Sequence, residues 1–325
     1  MTQIGNSSML AMLETGLLSM IIPVGLIVTW KIKNKKTGKV SIVPFIGGIL
    51  AYMFFGFVLK TLFDALVLSF DTPVSRIIAS NAFIAAVYFA VITAIFETGG
   101  KYFVLKKVFK DSLNKYKSVK DAVSFGIGFG MLEIVLTLGV AYVRNYMYAV
   151  LINNGTLEQM IADYEKAGDA SSVKDLQSIA NELTTITPID CMLYSVDRVA
   201  LLLIQVALSV AVFYSIYKKK KKLFTLTFVI HAFSGMIFYF STSASSIGAN
   251  CVIEICALIA TVVVVYLAYV LYQILLKEES AKELAGVDSS DENSGTDSSN
   301  GTNSQKSKKT SKSISKIANG RYTDD

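Results

Sequence analysis

Apolar positions in this chain fall in long runs rather than in the short stripes of a water-soluble fold. Seven runs stand out, at about 10–30, 43–69, 77–97, 121–150, 191–217, 223–242 and 250–276. Each approaches or exceeds the roughly 20 residues that a helix needs to cross a hydrocarbon core about 30 Å thick. The expected fold class is an all-α polytopic membrane protein with about seven transmembrane helices. Glu14, rather than a lysine cluster, stands at the N-terminal side of the first run, so that run reads as a retained span and not as a cleaved leader.

The polar stretches between the runs alternate in charge. KIKNKKTGK follows the first run, KYFVLKKVFKDSLNKYKSVK the third and KKKKK the fifth. SFDTPVSR, an acidic loop at about 151–190 and STSASSIGAN occupy the other connections and are poor in lysine. Lysine-rich loops stay in the cytoplasm, which predicts an outside N-terminus, a cytoplasmic C-terminus and a cell-membrane location, in a bacterial host. Within 151–190, the stretch DYEKAGDASSVKDLQSIANEL reads as helical, and Asn154-Gly155-Thr156 is a glycosylation sequon if the host is eukaryotic. Residues 102–118 read either as an amphipathic surface helix, with Tyr102, Phe103, Leu105, Val108, Phe109, Leu113 and Tyr116 toward lipid, or as a solvated basic connector. From residue 277 the chain turns polar and low in complexity. The expected organisation is a bundle over 1–276 with its outer acidic loop, then a disordered cytoplasmic tail over 277–325.

Composition sharpens this picture. Charged residues make up 17% of the chain, against about 25% in soluble domains. The formal net charge of +6 resides in the short lysine clusters, so a lipid bilayer and not a nucleic acid is the expected partner. The three cysteines have no metal-ligand spacing. Cys256 is expected inside a helix as a small hydrophobe; Cys191 and Cys251 fall near one membrane face, leaving a disulfide open.

Ionisable side chains at membrane depth are costly and tend to mark function. Here they are Lys60, Asp64, Glu97, Glu133, Asp197, Arg198 and His231, with Glu254 near the outer edge. Lys60 and Asp64, four apart, are expected to pair, and Glu97 is expected to end its span at the cytoplasmic face. Gly126, Gly130, Glu133 and Thr137 share one helical stripe, whose small residues admit a close neighbour. Arg198, Leu202, Gln205 and Ser209 form a second stripe, and Thr227, His231 and Ser234 a third. Three polar stripes on successive helices suggest one shared intramembrane cavity. Arg198 has two expected partners, Glu133 and the outer interface.

The ordered set Phe96-Glu97-Thr98-Gly99-Gly100-Lys101-Tyr102, then Gly126-Ile127-Gly128-Phe129-Gly130-Met131-Leu132-Glu133, then Asp197-Arg198 with Gln205 and Ser209, then His231-Ala232 resembles the YhfC family of bacterial intramembrane metalloproteases. That family is distantly related to the CAAX-prenyl and bacteriocin-processing proteases, and the resemblance covers roughly residues 10–276. Its motifs read Glu-Glu-x-x-Arg, then Gly-His-Gly-Gly-x-Glu, then Glu-Arg followed by a histidine, then a histidine-led motif. The resemblance implies Glu97 as general base, Glu133 as a second carboxylate, and His231 as a metal or oxyanion residue, with Lys101, Asp197, Arg198 and Gln205 in support. This chain departs from the motifs at five places. Thr98 replaces the second glutamate, Lys101 the arginine, Phe129 the histidine of the second motif, Asp197 a glutamate and Gln205 the histidine of the third.

A catalytic zinc needs about three protein ligands and an open position. Phenylalanine cannot ligate, and His231 is the sole histidine of the chain. Zinc therefore stays open beside a metal-free route in which a glutamate activates water and His231 or Gln205 polarises the carbonyl. Three functions follow: an intramembrane protease of membrane-anchored proteins or peptides, an inactive pseudoprotease that binds such partners, and a polar-lined transporter.

Overall fold

The computed structural model describes residues 2–35, 42–108, 118–243 and 247–293. Among them there are helices and connecting turns, and no strand. The helices are α1 (Asn6–Lys33), α2 (Val43–Leu68), α3 (Pro73–Ser80), α4 (Ala82–Lys107), α5 (Val119–Asn153), α6 (Thr156–Ala167), α7 (Ala170–Thr185), α8 (Pro188–Tyr217), α9 (Lys221–Ser243) and α10 (Ile247–Asn293). Seven of them, α1, α2, α4, α5, α8, α9 and α10, are long and apolar enough to cross a membrane. The protein is a multi-pass membrane protein.

α5 and α8 form the centre. Their apolar windows are 67% and 61% buried, against a third or less for the other spans. Leu62, Leu66 and Val262 leave more than 60% of their surface open. Such faces are the lipid-covered exterior of a bundle rather than a solvent surface. Glycine sets how near the helices come. A Cβ on Gly128 would lie 2.0 Å from the Phe45 carbonyl oxygen, and one on Gly48 would lie 2.0 Å from that of Phe125. α2 and α5 thus meet backbone to backbone. On another face of α5, a Cβ on Gly126 would lie 2.7 Å from Val206 Cα, and one on Gly130 would lie 2.6 Å from Leu202 Cδ1. α1 closes against the same centre, with Thr15 Oγ1 3.2 Å from Ser195 Oγ.

The acidic loop is a helical hairpin. Gly168, at φ 76°, ends α6 in the left-handed region that glycine enters without steric cost. Asp169 then caps α7 by accepting from the Ser172 amide. Leu157, Ile161, Leu176, Ala180 and Leu183 pack onto Tyr142, Ala149 and Ile152 of α5. Asn154 is exposed beside this hairpin.

Three local expectations change. The span expected at 77–97 starts instead at Ala82, because Asn81 caps it by accepting from the Phe83 and Ile84 amides. It then continues to Lys107, so Glu97 stands well inside the helix and not at its end. Tyr102 and Leu105 belong to that helix rather than to a separate surface helix. Leu105 is buried with Ala51, Phe125 and Val212 instead of facing lipid. Residues 109–117, including Phe109, Leu113 and Tyr116, lie outside the described residues. Cys256 is exposed on α10 rather than buried, Cys191 is buried with a free thiol, and the side chain of Cys251 lies outside the described residues. The helices form one compact unit over Met1–Glu278. Of the stretch read as a polar tail, the residues to Asn293 are helical, and 294–325 lie outside the described residues.

Candidate functional site

Four helices bring their polar residues to one buried place. α4 supplies Glu97, Thr98 and Lys101; α5 supplies Phe129 and Glu133; α8 supplies Gln205; α9 supplies His231. All of them are at most 6% exposed. The helical register explains the set from α4, since Glu97 and Lys101 are four apart and share a face. Gly100 lets α4 approach α2, for a Cβ there would lie 2.6 Å from Phe55 Cβ. π-helical turns interrupt α2 at Tyr52–Leu59 and α5 at Val135–Gly139. A π-turn inserts an extra residue and re-aims the side chains around it, a feature frequent at functional sites.

Gln205 is the hub. Its Nε2 donates to Glu97 Oε2 at 2.7 Å and to Glu133 Oε2 at 2.6 Å, and its Oε1 accepts from Lys101 Nζ at 2.6 Å. An amide fits this position because it offers two N–H groups on one side and an acceptor on the other. The Lys101 ammonium also stands 3.9 Å from Glu97 Oε2 and 3.5 Å from the centroid of the Phe129 ring. The Tyr52 ring meets Phe129 edge-on, with centroids 5.1 Å apart. His231 Nε2 faces Glu97 Oε2 at 3.5 Å, and His231 Nδ1 shares a 2.7 Å hydrogen bond with Thr98 Oγ1. The donors and acceptors of the cluster thus largely satisfy one another, the arrangement that makes buried polar groups tolerable in a low-dielectric interior.

The donor set does not fit a catalytic metal. Gln205 already occupies Oε2 of both carboxylates, Thr98 engages one nitrogen of the one imidazole, and the Lys101 amino group stands beside Glu97 where a metal ion would be repelled or displaced. Among the described residues, no three His, Cys, Asp or Glu side chains gather in a way that could hold an ion.

Other sequence candidates stand elsewhere. Asp197 is buried on α8, eight residues and about 12 Å of helix from Gln205. Arg198 is half-buried and lines a separate cavity toward the α6–α7 end; it makes no hydrogen bond or ion pair with Glu133. Lys60 donates to Asp64 at 2.8 Å, and Tyr88 to the same carboxylate at 3.0 Å, apart from the cluster. Thr98 and Phe129 were visible in the sequence only as departures, yet they hold His231 and Lys101 in place. The four-residue spacing of Glu97 and Lys101 is the signal that could have shown their pairing.

The comparisons with known proteins agree with this architecture. A profile of the family described as "YhfC intramembrane metalloprotease" matches residues 18–274. The chain is 27% identical over 219 residues to a Bacillus subtilis (strain 168) protein named "Uncharacterized membrane protein YhfC", an overlap of 67% of this chain and 79% of that one. No solved structure matches. A match over most of the chain, to a family of membrane proteins whose relative is likewise a membrane protein, makes this protein a member of the YhfC family.

Proposed function

We propose that this chain is a non-hydrolytic member of its family, a membrane-embedded receptor for a membrane-anchored protein or peptide, with its lysine-rich loops in the cytoplasm. The single observation that carries the reading is the Gln205 amide, which holds both carboxylates and is itself held by Lys101. A general base needs a free lone pair within reach of a water, about 2.6–3.2 Å away. Here one oxygen of each carboxylate, Oε2 of Glu97 and of Glu133, is held by the Gln205 amide, and both groups are buried. Two of the positions where the family motifs carry histidine hold a phenylalanine and a glutamine, and both are built into the packing of the cluster. Partner binding then rests on the bundle and its outer surfaces, and the cluster serves to lock α4, α5, α8 and α9 together.

The test uses a tagged single-span reporter co-expressed with the full chain. Co-purification without fragment release is expected, and it should persist in Glu97→Ala and Glu133→Ala variants that remain folded. A fragment that forms with the wild type and vanishes in either variant would overturn the proposal. It would favour the second reading, hydrolysis by a glutamate-activated water, which the 3.5 Å approach of His231 Nε2 to Glu97 keeps in view.

A further inference from the structure

Above the buried cluster lies a cavity of about 420 Å³ between α5, α7 and α8, with Glu254 of α10 on its wall. That size is within the range of about 300–1,000 Å³ usual for ligand pockets. Thr137, Tyr142, Arg144, Asn145, Tyr194 and Arg198 line it. Arg198 is placed to matter. It stands ten residues, about 15 Å, from the start of α8, and seven residues, about 10 Å, from Gln205 on the same helical face. Between cavity and cluster, along the two helices, lie Ile134 and Leu202, each at most 2% exposed and in one apolar cluster with Leu138 of the cavity wall. The cavity is therefore a site of its own, with the buried polar cluster beyond an apolar layer.

Two arginines are the groups of its wall that would hold an anionic ligand. A guanidinium is charged at any ordinary pH and presents a fork that matches a carboxylate. Neither Arg198 nor Arg144 makes a hydrogen bond or an ion pair among the described residues, although Arg198 is half-buried within a helix long and apolar enough to cross a membrane. Three acids share the wall, so the arginines act as local anchors and not through the net charge of the cavity. Asp190 accepts from the Thr187 amide and hydroxyl at the start of α8, and Glu254 has a partner of its own. Glu182 is exposed on α7 at the rim. Tyr142 and Tyr194, with ring centroids 6.2 Å apart, form an aromatic wall beside the arginines.

We propose that this cavity binds a carboxylate-bearing segment next to the membrane span of a polypeptide partner, with Arg198 as the anchor and Arg144 as a second, more exposed contact. The proposal rests on the reading of the protein as a receptor for membrane-anchored polypeptides and names the chemistry by which it recognises them.

The experiment places the full chain in nanodiscs of zwitterionic lipid. It measures binding of two labelled synthetic peptides, each one leucine-rich span flanked by either Glu-Glu or Gln-Gln. The Glu-Glu peptide should bind at least about tenfold more tightly, the scale of a charge-assisted two-point contact. Arg198→Met should abolish that preference, Arg198→Lys should recover only part of it because the fork is lost, and Arg144→Met should reduce it a few-fold. Each variant is first matched to the wild type in thermal melting, so that misfolding is separated from lost recognition. Equal affinity for the two peptides, or a preference unchanged in Arg198→Met, overturns the inference and leaves the receptor reading standing. Binding of neither peptide overturns both. If nanodiscs containing anionic phosphatidylglycerol erase the preference, the arginines take a lipid phosphate and the inference fails. Mass spectrometry of the recovered peptides tests the absence of cleavage separately.

Discussion

The Lys101 ammonium rests 3.5 Å from the centroid of the Phe129 ring, at a depth where neither side chain touches solvent. A desolvated cation against an aromatic face is worth about 2 kcal/mol or more. The relationship explains two departures from the family motifs together: the residue that cannot ligate a metal provides a surface for the lysine that stands in the place of the motif's arginine.

Removing that charge should cost more than removing its cushion. Lys101→Met leaves Glu97 and Glu133 without a cation in a buried site, and truncating one partner of a buried ionic set costs about 3–5 kcal/mol. Phe129→Leu keeps most of the volume and should cost about 2 kcal/mol. Thermal melting of the two detergent-purified variants checks the order; a larger loss in Phe129→Leu would contradict the assigned role of Lys101.

Metal content should follow the donor set. The wild type is expected to purify without stoichiometric zinc under conditions that load a histidine-rich site. A triple variant, Lys101→Met with Phe129→His and Gln205→His, removes the ammonium and adds two imidazoles beside Glu97, Glu133 and His231. It should take up about one zinc per chain, since three neutral imidazole or carboxylate ligands suffice. Elemental analysis after dialysis reads both outcomes.

The glycines divide into those that set a distance and those that do not. Gly128→Ala and Gly48→Ala would each put a Cβ 2.0 Å from a backbone oxygen of the neighbouring helix. Neither backbone can yield locally, so each variant should separate α2 from α5 and lose several kcal/mol, in the upper range of single substitutions. Gly99→Ala meets nothing within 4 Å and should be neutral or gain up to about 1 kcal/mol from helix propensity. Melting temperatures of the three variants make the comparison.

The hairpin carries a pH-sensitive cap. Hydrogen bonds from Ser172 and then Ser171 hold the pKa of the exposed Asp169 carboxylate down at about 2. A carboxylate lowered in this way stabilises the fold above its unfolded pKa, roughly 4, and that contribution fades as pH falls toward about 2. Protection of the Ser172 amide against hydrogen exchange, corrected for intrinsic rates, should hold down to about pH 4 and drop toward pH 2. In Asp169→Asn, which still caps, the drop should be absent.

Much of this was readable along the chain because membrane insertion is decided by run length and by the lysines that flank each run. Seven apolar runs led to seven helices long enough to span, with errors where a cap intervened. Asn81 moved one start by five residues, and continued packing of Val104 and Leu105 carried α4 past Glu97. The stripe of Gly126 and Gly130 was likewise visible, since one helical face needs only the 3.6-residue period.

The partners of the polar residues needed the fold. Gln205 joins Glu97 and Glu133 from residues 108 and 72 positions away, and no local rule ranks such pairs. Arg198, one residue from Asp197 and on the stripe of Gln205, lines a different cavity because it stands two turns, about 10 Å, farther along α8. A seven-helix membrane protein with ionisable groups in its spans follows from the chain, because hydrophobic length and helical period are properties of local sequence. That several of those groups close on one another around a lysine and a glutamine comes from the packed helices, because satisfying a buried charge depends on what neighbouring helices place within 3–4 Å of it.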